Sequence, residues 1–252
     1  MIRFTAEGKI GTVTLGRPPV NAIDPAFVAA FHAALDEAWT AAPTVLVVRS
    51  TQKCFCAGAD LSLIAGFFDA PDGVALMEDY VRSLHALFDR IEAFPAVTLA
   101  VIDGAALGGG LELALACDLR AASPRARLGL PEARVGMIPG AGGTQRLTRL
   151  CGPGVAARLI LGGEVVDGTQ AARLGIVQWA SEADALDAFA AETAGRIAGL
   201  SRQALLASKD CIAAWSDPHI DGFAREIEKP RELMPTEEAR ERVLGFFRRK
   251  TG

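Results

Sequence analysis

The segment VIDGAALGGGLELALACD, residues 101–118, constrains this chain more than any other. It is almost wholly apolar and contains three consecutive glycines, so it reads as buried backbone that something approaches closely. Within its Ala/Leu portion stands Glu112. A carboxylate taken out of water is costly or shifts its pKa, so its presence needs a reason. The apolar run 96–117 is long enough to span a bilayer. Asp103, Glu112 and the glycines interrupt it, and it reads as soluble core. A strand passing through the glycines into a helix would put Glu112 on the first helical turn, beside free N–H groups that suit an oxyanion. The other use of Glu112 is as a cap that bonds its own helix start.

With 252 residues, 50% of them hydrophobic, the chain can bury a sizeable core. Its net charge is −4 with no Lys/Arg-rich block, so neither nucleic acid nor a membrane is an expected partner. Cys54, Cys56, Cys117, Cys151 and Cys211 are scattered without a CxxC pair, and there are three histidines. Neither a metal site nor a disulfide framework is expected. The start alternates like a strand and lacks an apolar signal core, so a reducing cytoplasm is the expected location.

Along the chain, residues 1–15 read as a hairpin turning at Gly8–Lys9. RPPVNAID follows as an extended loop. Asp24–Pro25 reads as a cap and first turn, opening a helix to about Trp39. Residues 44–50 are a buried strand, and TQKCFCAGAD is a loop. A helical region breaks at DAPDG and resumes from about Val74 to Ala93. Residues 96–103 form another strand, and Gly104 to Gly110 turns into the helix carrying Glu112. Residues 126–147 begin as a short strand and end in a glycine-rich turn before a helix. A helix end and a strand follow in 169–180, and only helices from about Glu182. The pattern is α/β with parallel pairing favoured, plus a helical C-terminal part. In that part Ala239, Val243, Phe246 and Phe247 share one side, which needs either its own core or another subunit.

No GxxxxGK[ST] or GxSxG occurs, and no GxGxxG opens a helix after a suitable strand. CAGAD (56–60) is a second place where a small-residue loop can bring a backbone N–H close to a ligand. LPEARVGMIPGAGG supplies Glu132 among apolar neighbours. Two acids and two backbone donors fit acid/base work on a carbonyl-activated substrate. The plainer readings are a surface Glu132 and an ordinary turn at 56–60.

Five segments, RPPVNAID (17–24), KCFCAGADL (53–61), IDGAALGGGLELALACD (102–118), LGLPEARVGMIPGAGGTQRL (128–147) and AARLGIV (171–177), stand in an order that resembles the enoyl-CoA hydratase/isomerase family, the crotonase superfamily. The resemblance implies a crotonase-like spiral of repeated ββα units over residues 1–195, carrying the active site. It implies a helical trimerisation region over 196–252, and a trimer or dimer of trimers. The ligand would be an acyl-CoA thioester, with CoA as part of the substrate and no metal or redox cofactor. By position, the N–H groups of Ala59 and Gly109 would form the oxyanion hole. Glu112 and Glu132 would be the two acids that hydratases keep, whereas many isomerases lack the first. Gly140 would help place the water. Lys53, Ala57, Asp60, Leu61, Phe246 and Arg249 fall where relatives contact the CoA thioester, and Ser62 departs from a lysine common in close hydratases. Residues 62–80 carry no pattern that points to a particular subgroup, and Phe67, Phe68, Met77 and Tyr80 are candidates for the acyl pocket, with core packing the alternative for at least two of them. The implied activity is 2-enoyl-CoA hydration, as in fatty-acid β-oxidation. The alternatives are a double-bond isomerase, thioester hydrolase or C–C lyase on the same fold, or a non-catalytic CoA- or RNA-binding member.

Overall fold

The computed structural model describes residues 1–217 and 219–250, with the side chains of Arg249 and Lys250 outside the described set. It divides into two compact units, Met1–Gly195 and Arg196–Gly252.

In the first unit, β1 (Ile2–Glu7) and β2 (Ile10–Leu15) form the expected antiparallel hairpin. Asp24 caps α1 (Pro25–Ala41), its carboxylate accepting from the Phe27 N–H at 2.8 Å. Ala42 adopts a left-handed conformation (φ 45°) and ends the helix. The chain then enters β3 (Val45–Ser50), whose first four residues are buried, as a strand covered on both faces requires. α2 (Leu61–Asp69) and α3 (Gly73–Glu92) follow, then β4 (Val97–Ile102), β5 (Ala105–Leu107) and α4 (Gly109–Leu115). β6 (Leu119–Ala122), β7 (Arg127–Gly129) and a 3-10 turn at Glu132–Val135 lead to α5 (Gly143–Ile160), which is kinked at Gly152. β8 (Val165–Asp167), α6 (Gly168–Arg173) and β9 (Trp179–Ala180) complete the α/β part.

A six-stranded sheet runs β1-β2-β3-β4-β6-β9, parallel from β2 onward. A second sheet, β5-β7-β8, stands beside it. Every residue of α4 is buried, so Gly109, Gly110 and Glu112 lie in the core as read. β5, β6 and β8 do not show in the sequence pattern, because strands of three or four residues carry too little alternation.

The second unit consists of helices, α7 (Leu186–Ala198) straddling the boundary before α8 (Arg202–Ala214), α9 (Gly222–Leu233) and α10 (Glu237–Lys250). Asp210 of α8 takes ion pairs from Arg225 and Lys229 of α9. Ser201, the α8 cap, donates to Glu238 of α10 at 2.8 Å. Ile212, Trp215, Phe223, Ile227, Met234, Val243, Phe246 and Phe247 are exposed.

Candidate active site

The loop 17–24 is built around Asn21, which is fully buried. Its side-chain amide donates to Ser50 Oγ at 2.8 Å and to the Phe55 carbonyl at 2.9 Å, and its Oδ1 accepts from the Arg17 N–H. This ties the loop to the segment that carries Ala59. The Ile23 N–H donates to Gly58 O, and the Asp60 N–H donates to Ile23 O. In extended backbone, successive N–H groups point to opposite sides. Ala59, between those two bonds, therefore directs its N–H away from Ile23.

That N–H meets the start of α4. A Cβ placed on Gly109 would lie 3.5 Å from Ala59 N, and one on Gly58 would lie 3.3 Å from Gly109 N. The two amides are side by side, and neither has an acceptor among the described residues. The residue between β5 and α4 is Gly108, at φ 52°. A Cβ there would sit 2.8 Å from Glu132 Oε1, so a side chain would displace Glu132.

Glu112, on the first turn of α4, is 2% exposed. It does not cap its own helix. Its Oε1 accepts from the Gly143 N–H at 2.7 Å, and the Ala141 N–H also reaches its carboxylate. Burial pushes its pKa up to about 7, against the pull of those amides and of Arg146 and with a push from Glu132. Glu132 stands on the 3-10 turn, half-buried rather than on the surface. Burial raises its pKa as well, and its Oε2 is buried without a hydrogen-bond partner. The site thus holds two carboxyl groups close enough to feel each other, next to a pair of neighbouring backbone amides.

The turn 140–143 that serves Glu112 is itself held. Arg146 donates to the Ala141 carbonyl at 3.1 Å and forms ion pairs with Asp89 and Glu92 of α3. His85, one turn earlier on α3, donates from Nε2 to the Gly140 carbonyl at 2.7 Å. The sequence reading missed this clamp. Its one signal was an arginine inside the motif GAGGTQRL, three residues beyond Gly143.

The remaining predicted residues divide. Asp60 is half-buried and caps α2, accepting from the Ser62 and Leu63 N–H groups. Lys53, Ala57 and Leu61 are exposed. Gly140 lies in the Glu112 turn. Phe246 is in the second unit, edge-on to Phe247 at 5.8 Å, and the Arg249 side chain lies outside the described residues. Tyr80 is buried and donates to the Ile23 carbonyl at 2.8 Å. Phe67, Phe68 and Met77 line a cleft of about 670 Å³ between α2 and α3.

This fold is that of the crotonase superfamily. An enoyl-CoA hydratase crystal structure from Bacillus anthracis superposes with a TM-score of 0.90 at 30% identity, covering 98% of this chain and 96% of that one. The family model Enoyl-CoA hydratase/isomerase matches residues 5–251. The chain belongs to that family. A probable enoyl-CoA hydratase of Bacillus subtilis (strain 168) is 34% identical over 99% of this chain and 96% of its own length. The 2,3-dehydroadipyl-CoA hydratase of Escherichia coli (strain K12) is 35% identical over 97% and 94%.

Proposed function

We propose that the protein is a 2-enoyl-CoA hydratase. The observation that carries this reading is the pair of raised-pKa carboxyl groups, Glu112 and Glu132, beside the adjacent free amides of Ala59 and Gly109. The thioester oxygen accepts from those amides, which stabilise the negative charge that develops on it. Such a donor typically contributes about 3–4 kcal/mol. Water adds its oxygen to C3 and gives a proton to Glu112, while Glu132 gives its proton to C2. The product is the 3-hydroxyacyl thioester, and the reverse steps dehydrate it.

The donor pattern supports this division of labour. Two interacting carboxyls titrate as a pair. In the singly protonated pair, the Gly143 and Ala141 amides favour charge on Glu112. The proton then belongs on Glu132, whose Oε2 has no donor to stabilise a charge. Gly140 helps place the water. Lys53, Ala57, Asp60, Leu61, Phe246 and Arg249 are the proposed CoA contacts. The scheme balances its protons with these side chains and uses no metal or redox cofactor. A homo-oligomer, trimeric or a dimer of trimers, is proposed with it.

The test is loss of the enoyl-thioester absorbance of crotonyl-CoA. Glu112→Gln and Glu132→Gln should each lower kcat on the order of 10²–10⁴-fold while remaining folded. Full activity in either variant sinks the two-carboxylate mechanism. Running 3-enoyl-CoA in parallel separates hydration from double-bond shifting.

A further inference from the structure

The cleft between α2 and α3 has no part in the proton transfers above, and its lining is specific. We propose that it receives the acyl chain and selects uncharged, apolar chains longer than crotonyl over chains that end in a carboxylate. This rests on the enoyl-thioester reading of the neighbouring site.

The cleft adjoins that site along three segments. α2 begins at Leu61, two residues past Ala59. Met137, on the cleft wall, donates its N–H to the Glu132 carbonyl at 3.0 Å. Phe67 packs on Tyr80 with ring centroids 6.3 Å apart, and Tyr80 bonds the Ile23 carbonyl. Ile23 Cδ1 in turn lies 3.3 Å from the Cβ position of Gly109. A chain leaving a carbonyl seated on Ala59 and Gly109 has this cleft within reach.

Its volume, about 670 Å³, is in the range of small-molecule sites and exceeds what a crotonyl group fills. The walls are Ile64, Phe67, Phe68, Val74, Met77 and Met137. Phe68 is 75% exposed and Val74 is 78% exposed, so a longer chain would cover apolar surface now facing water. The charged groups on the lining are Asp72 and Glu78, both acids. No Lys, Arg or His lines the cleft among the described residues. Arg82 approaches Glu78 from the next turn of α3 at 3.7 Å, with both side chains largely exposed, and is not part of the lining. A terminal carboxylate entering here would lose water, meet no cationic side chain and face two acidic ones, with only the first-turn backbone amides of α3 as donors. This separates the chain's expected substrates from the one named for its Escherichia coli relative.

The test is calorimetric binding of saturated acyl-CoAs, which reads the cleft without turnover. Each methylene covered should tighten binding roughly threefold to fourfold. Octanoyl-CoA should therefore bind at least tenfold tighter than butyryl-CoA, and hexanoyl-CoA tighter than adipoyl-CoA, which differs by the terminal carboxylate. Val74→Arg, at an exposed position, should weaken octanoyl-CoA and narrow the gap between hexanoyl- and adipoyl-CoA. Equal affinities for butyryl- and octanoyl-CoA, or adipoyl-CoA as tight as hexanoyl-CoA, would overturn the proposal. So would hydration of crotonyl-CoA with kcat/KM as high as for 2-octenoyl-CoA. Chain-length-dependent binding without hydration of any enoyl-CoA would instead refute the hydratase reading and leave the cleft assignment standing.

Discussion

At the scale of single residues, Glu112 and Glu132 stand out in the sequence because acids in apolar context are expensive. What favours the charged form of Glu112 does not stand out. The Gly143 amide that reaches Glu112 comes from 31 residues further along the chain, and no local pattern announces it. The consequence is measurable. Glu112 titrates near 7 in the folded protein against an ordinary 4.5, so folding favours its protonated form. That contribution is present below about pH 4.5 and is lost as pH rises through about 7. The displacement corresponds to roughly 3 kcal/mol at most. Glu112→Gln should therefore raise Tm by several degrees at pH 8, with the gain shrinking toward pH 5. Thermal unfolding of both proteins at the two pH values checks this, and a pH-independent difference would contradict it. The same shifts act on the proposed activity. With both carboxyls raised, the doubly protonated, inactive pair should persist above the ordinary carboxylate range. The acid limb of kcat/KM should then lie above pH 5, measured as initial rates of hydration across pH. A limb at the ordinary carboxylate value would count against the pair.

At the scale of elements, the hairpin, α1 with its Asp24 cap, β3, β4 and the α2–α3 break are all legible, because each carries either period or punctuation. The 3-residue strands β5 and β8 are not, and they form two of the three strands of the second sheet. The function of α3 was equally hidden. Its His85, Asp89 and Glu92 recur at near-helical spacing, which alone describes any solvated face. Only the fold turns that face toward the 140–143 turn, where Arg146 and His85 fix the backbone that serves Glu112. Arg146 is thus a positioning residue. Lysine keeps the charge but cannot span the Ala141 carbonyl and two carboxylates with one planar fork. Arg146→Lys should lower kcat roughly tenfold to hundredfold with a smaller change in KM, as expected when a reacting group is misplaced. It should also move the acid limb upward as Glu112 loses its amides. An equal loss of kcat in Arg146→Lys with an unmoved pH profile would assign Arg146 to stability alone.

At the scale of the whole molecule, the helices after residue 196 raise the question of what covers them. Exposed apolar residues are ordinary when scattered, but a contiguous set marks an interface. Here Ile212 and Trp215 on and just after α8, and Phe223 on α9, line one cleft of about 840 Å³, and Ile227, Val243, Phe246 and Phe247 are exposed besides. The sequence showed the apolar side of α10, since Val243, Phe246 and Phe247 follow helical spacing. It did not show the cleft, which depends on how α8 meets α9 through Asp210, Arg225 and Lys229. A second copy of this chain is the proposed cover. Phe223 and Ile227 stand four residues apart on one face of α9, both largely exposed, so replacing them by Asp should leave the helix intact. Two buried carboxylates would then face an apolar partner surface, which association cannot tolerate. Sedimentation equilibrium at micromolar concentration should find the unaltered protein as a trimer or a multiple of it, and Phe223→Asp/Ile227→Asp shifted to monomer with unchanged far-UV circular dichroism. An unaltered protein that sediments as a monomer would remove the subunit contact. An altered one that stays oligomeric would place the contact elsewhere on the chain.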